Sequence, residues 1–328
     1  MAPHLVFGGS GIGTTEKSYA FTFDTPEKVS ELLVMLKQLG ILEIDSAASY
    51  PESNPWNTET LLGEAGAVER GFIIDSKVDW TSGHPSLTKS NISRSTAKTL
   101  ELFNTKKIRT MYIHTPDKET PLEETAAAFH EQYLAGKFER LGICNLDLFN
   151  LSKYLAICDK HGYIKPTVYQ GCYNAVFRKR ADGLFPLLRK HGCAFYAYSP
   201  LAGGFLTGKV TQAVDSGDES ALYRTRWRGE SIYKAYVSHF DTPAMHNAVR
   251  TVKAVCEAAS PALTLQEACL RWLIHHSELR DSDAIILGAK RLDELEKNVT
   301  AARRGPLSGT VLHAIETMSK LANKDEKF

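Results

Sequence analysis

No two of the six cysteines, Cys144, Cys158, Cys172, Cys193, Cys256 and Cys269, form a C-x-x-C pair, which leaves no zinc knuckle and no thioredoxin-type redox motif. Reduced, buried thiols are the expectation. Net charge is nearly absent as well: +1 over 328 residues gives no global field to attract nucleic acid. Apolar runs are short, each broken by Asp, Lys, His or Gly within about ten residues, so the sequence predicts no membrane span. Met1-Ala2-Pro3-His4 opens without a basic n-region or a long apolar stretch, and the expected location is the cytoplasm. Low-complexity linkers and long internal repeats are missing too. The chain therefore reads as one domain over residues 1–328, although its length could hold two.

What is present, 43% hydrophobic and 23% charged residues, suffices for a sizeable core. Short β-rich runs at residues 5–8, 42–45, 72–77, 111–114, 141–144, 167–170, 194–198 and 284–288 alternate with amphipathic helical stretches. Strand alternating with helix implies parallel pairing with right-handed crossovers, and eight such units predict an α/β fold, the (β/α)8 or TIM barrel. In the first helical stretch Val29, Leu32, Leu33, Leu36 and Leu39 form one apolar stripe, with Lys28, Glu31 and Lys37 off it. Thr25-Pro26 and Thr120-Pro121 each offer a capping hydroxyl followed by Pro at the first helical position. The rhythm fails once, between Gly204 and Asp241, which reads as a long loop after the seventh strand.

Two glycine motifs each lack a defining residue. In Gly8-Gly9-Ser10-Gly11-Ile12-Gly13 the third glycine of G-x-G-x-x-G counted from Gly9 falls on Thr14, so a dinucleotide-binding Rossmann turn is not expected. Gly203-Gly204-Phe205-Leu206-Thr207-Gly208-Lys209 fits seven positions of a Walker A loop, but Val210 replaces the hydroxyl that would ligate Mg²⁺. Backbone amides and Lys209 can still cradle a pyrophosphate. His275 and His276 are adjacent and so do not share a helix face, and no metal site is predicted from them.

In this fold the active site lies at the C-terminal ends of the strands. Asp45 ends the second run with Tyr50 just beyond it, Lys77 ends the third, and His114 ends the fourth. Asp45 and Lys77 on adjacent strands form a natural ion pair. The four groups suit carbonyl reduction: a phenol whose pKa a nearby ammonium depresses gives a proton to the oxygen, and His orients or polarises the carbonyl. After the last run, Lys290 and Arg291 stand where a helix begins, cations of the kind that a 2′-phosphate requires.

Ordered blocks run nearly the length of the chain: Glu43-Ile44-Asp45-Ser46-Ala47 with Tyr50, Asp75-Ser76-Lys77, Tyr112-Ile113-His114-Thr115-Pro116-Asp117, Gly136-Lys137-Phe138, Thr167-Val168-Tyr169-Gln170-Gly171, Tyr173-Asn174, and the string from Pro200 to Lys209. Through them the sequence resembles the aldo-keto reductases, most nearly the aflatoxin-aldehyde and succinic-semialdehyde reductase branch. The resemblance implies an NADP-dependent oxidoreductase with Tyr50 as general acid, Lys77 and Asp45 as the pair that tunes it, and His114 as the carbonyl-binding group. It implies that Asn145 and Gln170 hold the nicotinamide carboxamide and that Tyr198 stacks on its ring. Cys144 stands where the family usually has a small hydroxyl. Ser199, Pro200, Leu201, Gly203, Gly204, Leu206, Gly208, Lys209, Arg226, Gly288, Lys290, Arg291, Glu294 and Asn298 are implied around the rest of NADPH (NADP⁺). A homodimer is implied as well.

The substrate is expected to be a small-molecule carbonyl compound that meets His114, Trp80, Trp227, Tyr233 and Tyr236; Trp56 and Tyr223 are further aromatics that could line a pocket. The branch carries in its long loop a Tyr followed three residues later by an Arg that holds acidic substrates. Here Tyr233-Lys234-Ala235-Tyr236 replaces that Arg by Tyr, so bulky uncharged carbonyls are expected over small carboxylated aldehydes, unless Lys234 or the arginines of 224–228 restore an anion site. Two rival readings are a cofactor-binding regulatory subunit with little turnover and a metal-dependent hydrolase using Asp45 and His114. The intact four groups oppose the first, and the lack of further ligands on neighbouring strand ends opposes the second.

Overall fold

The computed structural model describes residues 2–14, 21–179, 181–223, 225–228 and 233–322. Among them, parallel strands close into a barrel in chain order: β1 (His4–Gly8), β2 (Glu43–Asp45), β3 (Ile73–Lys77), β4 (Ile108–Ile113), β5 (Phe138–Cys144), β6 (Pro166–Cys172), β7 (Ala194–Tyr198) and β8 (Ala284–Leu287). β8 returns to β1 with His4 opposite Ala284 and Phe7 opposite Leu287. The helices are α1 (Pro26–Gln38), α2 (Asn57–Glu64), α3 (Lys89–Leu102), α4 (Leu122–Leu134), α5 (Leu148–His161), α6 (Ala181–Lys190), α7 (Lys209–Ser216), α8 (Lys234–Phe240), α9 (Pro243–Ala258), α10 (Leu265–His275), α11 (Leu292–Ala302) and α12 (Gly309–Ala322). None of them is long and apolar enough to cross a membrane.

The strands are buried on both faces, and that divides the core in two. Phe7, Ile44, Ile74, Met111, Ile143 and Phe195 point outwards and pack beneath the helices. Val6, Tyr112, Cys144, Val168, Tyr196, Ala284 and Ile286 fill the barrel interior. The Tyr112 ring lies so close over β5 that a Cβ on Gly142 would stand 2.2 Å from it, so only glycine fits there. All six cysteines are buried.

Local signals mostly act as the sequence predicts. Val29, Leu32, Leu33 and Leu36 are buried along α1, and Thr25 caps it by accepting from the Lys28 N–H at 3.4 Å. α4 differs. Pro121 takes the capping position, because the Thr120 hydroxyl donates to Asp117 Oδ2 at 2.6 Å instead. Asp117 also accepts from the N–H groups of Ser86, Leu87 and Glu119, and this set of donors holds its carboxyl down at about 2. The segment read as a long loop contains α7, α8 and a 3₁₀ turn at Ala202–Thr207. The glycines after β1 form a 3₁₀ turn at Gly9–Gly11 and no helix N-terminus.

The lower end of the barrel is closed by charge. Arg109 bonds Asp75 through Nε at 2.8 Å and Nη2 at 2.6 Å, and reaches Glu43 at 2.8 Å, which His4 meets at 3.1 Å. Arg140 donates to Thr110 Oγ1 at 3.1 Å and to the Tyr196 hydroxyl at 3.3 Å.

Candidate active site

At the opposite end, Asp45 and Lys77 finish adjacent strands; the register sets Asp45 opposite Asp75, and Lys77, two residues on and on the same face, reaches back to it. Lys77 Nζ lies 2.8 and 2.7 Å from the two Asp45 oxygens, and donates to the Ser46 carbonyl at 2.7 Å. The lysine is fully buried, which by itself would discharge it; the carboxylate prevails and holds its pKa above the ordinary value. Gln170, on β6, also donates to Asp45 Oδ1, at 2.7 Å.

Tyr50 stands on the turn after β2, with its hydroxyl 3.4 Å from Lys77 Nζ. Its carbonyl accepts from the Thr58 N–H at 3.1 Å in the first turn of α2. Beside it Gly13 adopts φ 144°, where a Cβ would come within 2.8 Å of the Pro51 ring, so the loop after β1 can close against the Tyr50–Pro51 turn only as glycine. The ammonium lowers the phenol's pKa, as expected from its placement, but burial is the larger effect. With Asp45 and Cys144 adding to it, burial pushes Tyr50 up to about 12. Here the structure corrects the sign read from sequence, because the degree of enclosure is set by loops distant in the chain.

His114 follows β4 directly. Its ring meets Tyr50 edge-on at 5.5 Å between centroids and Trp80 at 6.4 Å. Burial and then the Lys77 charge push its pKa well down, so the imidazole is neutral. His114 Nδ1 and Trp80 Nε1 are buried without a hydrogen-bond partner among the described residues.

The ends of β5 to β8 form the other half of the mouth. Cys144 closes β5, and Asn145 follows at φ 60° with its Oδ1 accepting from the Tyr198 hydroxyl at 2.9 Å. Past β7, Ser199, Pro200 and Leu201 lead into the 3₁₀ turn, where Gly203, Gly204 and Gly208 have φ of 64°, 97° and 79°. Leu206 is buried beneath the turn and Lys209 begins α7. Across the mouth, Gly288 follows β8, and Lys290 has its pKa lowered by burial and then by the Arg226 and Lys209 charges, with Glu294 opposing. Three cations thus gather at one edge. Arg291 is held by Asp293 through 2.8 and 3.1 Å bonds and points its charge there. Asn298 is buried with Nδ2 lacking a partner among the described residues.

These features fit a nicotinamide dinucleotide: amide side chains beside Tyr198, a glycine turn for the pyrophosphate, converging cations for a phosphate and an amide nitrogen of Asn298 without a partner among the described residues. Gln170 differs from expectation in that its amide nitrogen is already engaged by Asp45.

The aromatics expected around a substrate separate. Trp80 lies by His114, and Tyr233 is 50% exposed. Trp227 and Tyr236 are only 3% and 6% exposed: they pack on each other, and Trp227 Nε1 donates to the Gly203 carbonyl at 3.0 Å. They belong beneath the glycine turn and do not line an open pocket, because α8 folds inward. Trp56 lies under Lys98 on the outer side, Tyr223 is 72% exposed, and Arg224 lies outside the described residues.

Sequence reasoning passed over Glu59. It is fully buried on α2, accepts from Ser76 and Thr99 hydroxyls, and burial raises its pKa to about 7. Nothing in an amphipathic first turn distinguishes it from a solvated acid.

A family model described as the aldo/keto reductase family matches residues 4–320. The chain is 35% identical over 307 residues to "Aldo-keto reductase family 7 member A3" of Homo sapiens, covering 89% of this chain and 88% of that protein. It is 34% identical over 302 residues to "Aflatoxin B1 aldehyde reductase member 4" of Homo sapiens, covering 89% and 88%. It is also 30% identical over 330 residues to "Oxidoreductase sirO" of Leptosphaeria maculans, covering 99% and 96%. With a matching model over nearly the whole chain, these relatives and the closed eight-stranded barrel, the protein belongs to the aldo/keto reductase family of oxidoreductases.

Proposed function

We propose that the protein reduces an aldehyde or ketone to the alcohol with NADPH, with Tyr50 as general acid. The observation that carries this reading is the Tyr50 hydroxyl 3.4 Å from a buried, ion-paired Lys77 and edge-on to a neutral His114. NADPH, when bound, supplies the hydride to the carbonyl carbon. Tyr50 is a neutral phenol at working pH, since its pKa stands near 12, and donates its proton to the carbonyl oxygen as that oxygen becomes alkoxide. The Lys77 charge stabilises the phenolate left behind, and Asp45 keeps Lys77 charged. Neutral His114 carries one N–H with which to orient the carbonyl.

Asn145, Gln170 and Tyr198 would hold the nicotinamide end, and the turn from Ser199 to Lys209 the pyrophosphate. Arg226, Lys290 and Arg291 would hold the 2′-phosphate, and Glu294 and Asn298 the adenosine. The reading includes a single-domain, cytoplasmic, homodimeric enzyme. Its substrates are uncharged, bulky carbonyls, because the family's carboxylate-holding arginine is replaced by a tyrosine that turns inward. The names of the aflatoxin aldehyde reductases among the relatives point the same way.

The test is loss of NADPH absorbance with a panel of aldehydes and ketones, including succinic semialdehyde and an uncharged aromatic aldehyde. Tyr50→Phe should lose at least about a hundredfold in turnover while still binding NADPH. A variant keeping more than a tenth of the wild-type rate, with chemistry rate-limiting, rules out the acid role. Cofactor binding without turnover of any carbonyl favours the regulatory-subunit reading.

A further inference from the structure

The inward turn of α8 brings one side chain against two points of the turn that follows β7, Ser199 and Gly203, and against Arg226. The Tyr236 hydroxyl lies 2.5 Å from Ser199 Oγ. Ser199 comes directly after Tyr198, holds φ 54°, and its carbonyl accepts from the buried Asn174 Nδ2 at 3.0 Å. Gly203 has no room for a side chain: a Cβ would stand 2.9 Å from Tyr236 Cε1 and 3.0 Å from Arg226 Cδ. The Arg226 guanidinium sits 5.6 Å from the centre of the Tyr236 ring.

Positive φ at a non-glycine residue persists only where its surroundings over-determine it. Tyr236 helps supply that constraint from the opposite end of the long segment. Trp227 and Phe240 brace its ring at 6.1 and 5.8 Å.

We propose that Tyr236 is a positioning residue for the dinucleotide. Its bond to Ser199 and its ring contacts with Gly203 and Arg226 hold the turn after β7 in its cofactor-binding shape, so this tyrosine governs cofactor retention, while the choice of carbonyl follows from the missing arginine and not from these contacts. The inference rests on the NADPH reading above. Pre-organising a loop raises affinity by reducing the ordering cost of binding, chiefly through slower release.

Tyr236→Phe removes only the hydroxyl. The Kd for NADPH, read by quenching of protein fluorescence in the absence of substrate, should rise about threefold to tenfold, as loss of one hydrogen bond allows. Release in stopped flow should quicken by a similar factor, with the carbonyl KM at saturating NADPH unchanged. Ser199→Ala should reproduce the effect, and the double variant should be no worse than either single one. An unchanged Kd, a rise confined to the carbonyl KM, or effects that multiply in the double variant overturn the proposal. If Tyr236→Phe does not fold, an unchanged Kd in Ser199→Ala overturns it alone. Wild type that binds no NADPH removes the cofactor reading itself, and the inference with it.

Discussion

Both ends of the barrel draw on the same strands. β2 gives Glu43 to the floor and Asp45 to the mouth, and β3 gives Asp75 to the floor and Lys77 to the mouth, since residues two apart share a face. At the floor the charges answer one another: Arg109 takes both Asp75 and Glu43, and His4 takes what remains of Glu43. A cavity of about 660 Å³ opens beneath, beside His4, Ile73, His275 and Arg303, yet His275 is already bonded to the Arg304 carbonyl at 2.6 Å. At the mouth Lys77 is equally well paired but reaches on to Tyr50, and polar atoms of His114, Trp80 and Asn298 have no partner among the described residues. An electrostatically closed layer holds the strands together; an open one leaves work for a ligand.

Replacing one buried cation at each end by methionine breaks the symmetry most sharply. Lys77→Met leaves Asp45 uncompensated, which costs about 3–5 kcal/mol of stability, and should also cut turnover at least about a hundredfold. Tyr50 already has a raised pKa, and loss of the ammonium moves it higher, so less phenolate forms and alcohol oxidation should suffer more than carbonyl reduction. A pH profile for oxidation that does not move upward contradicts this.

Arg109→Met should lose about 3–5 kcal/mol in urea unfolding, because buried Asp75 and half-buried Glu43 lose their guanidinium, while each folded molecule keeps its turnover within about twofold. A drop in turnover of folded protein as large as that of Lys77→Met would erase the distinction between the two ends.

Glu59, on the outer side of β3 between the two layers, sharpens the comparison by pH. Its pKa is raised from 4.5 to about 7, so the folded state favours the proton: the benefit is complete below pH 4.5 and is lost as pH rises through 7. Glu59→Gln cannot ionise. Its unfolding free energy should exceed that of wild type increasingly from pH 5 to pH 8, by at most about 3 kcal/mol, read by urea unfolding at each pH. A difference independent of pH would contradict the burial of an ionisable acid there.

The smallest effect is expected at the mouth's edge. Lys290→Ala, which removes one of three converging cations, should reduce the preference for NADPH over NADH by about threefold to tenfold, read as the ratio of the two Kd values. Arg291, held by Asp293, should matter less. An unchanged ratio would move the 2′-phosphate elsewhere.

Much of this was legible in the sequence, and the misses have physical causes. Every strand of the barrel was visible, because burial on both faces makes each a run of apolar residues. β4 and β5 begin three residues earlier than their apolar runs, since Arg109 and Arg140 bring the floor's charge into the strands and interrupt the pattern. Short helices with small apolar faces hid α7 and α8 inside an apparent loop. Asp45, Tyr50, Lys77 and His114 were readable as polar residues just past apolar runs. Whether an aromatic lies under a turn or on a pocket wall is decided by contacts across the fold, which is why Trp227 and Tyr236 read as pocket residues. Enclosure, the cause of the high Tyr50 and Glu59 pKa values, has no local signature either.

The pairing of β8 with β1 also fixes a schedule. The groups that perform the proposed chemistry lie between residues 45 and 114, but the cylinder that holds them closes only when Ala284 meets His4. At the roughly 5–20 residues per second of ribosomal synthesis, β1 waits on the order of 14–55 s for its neighbour. Throughout that interval β1 and the newest strand present raw sheet edges to the cell. A nascent chain stopped just before residue 284 would carry all four catalytic candidates and most of the cofactor cradle, yet it should be a client for chaperones and a seed for aggregation. Four residues of β8 convert it into an enzyme-shaped object.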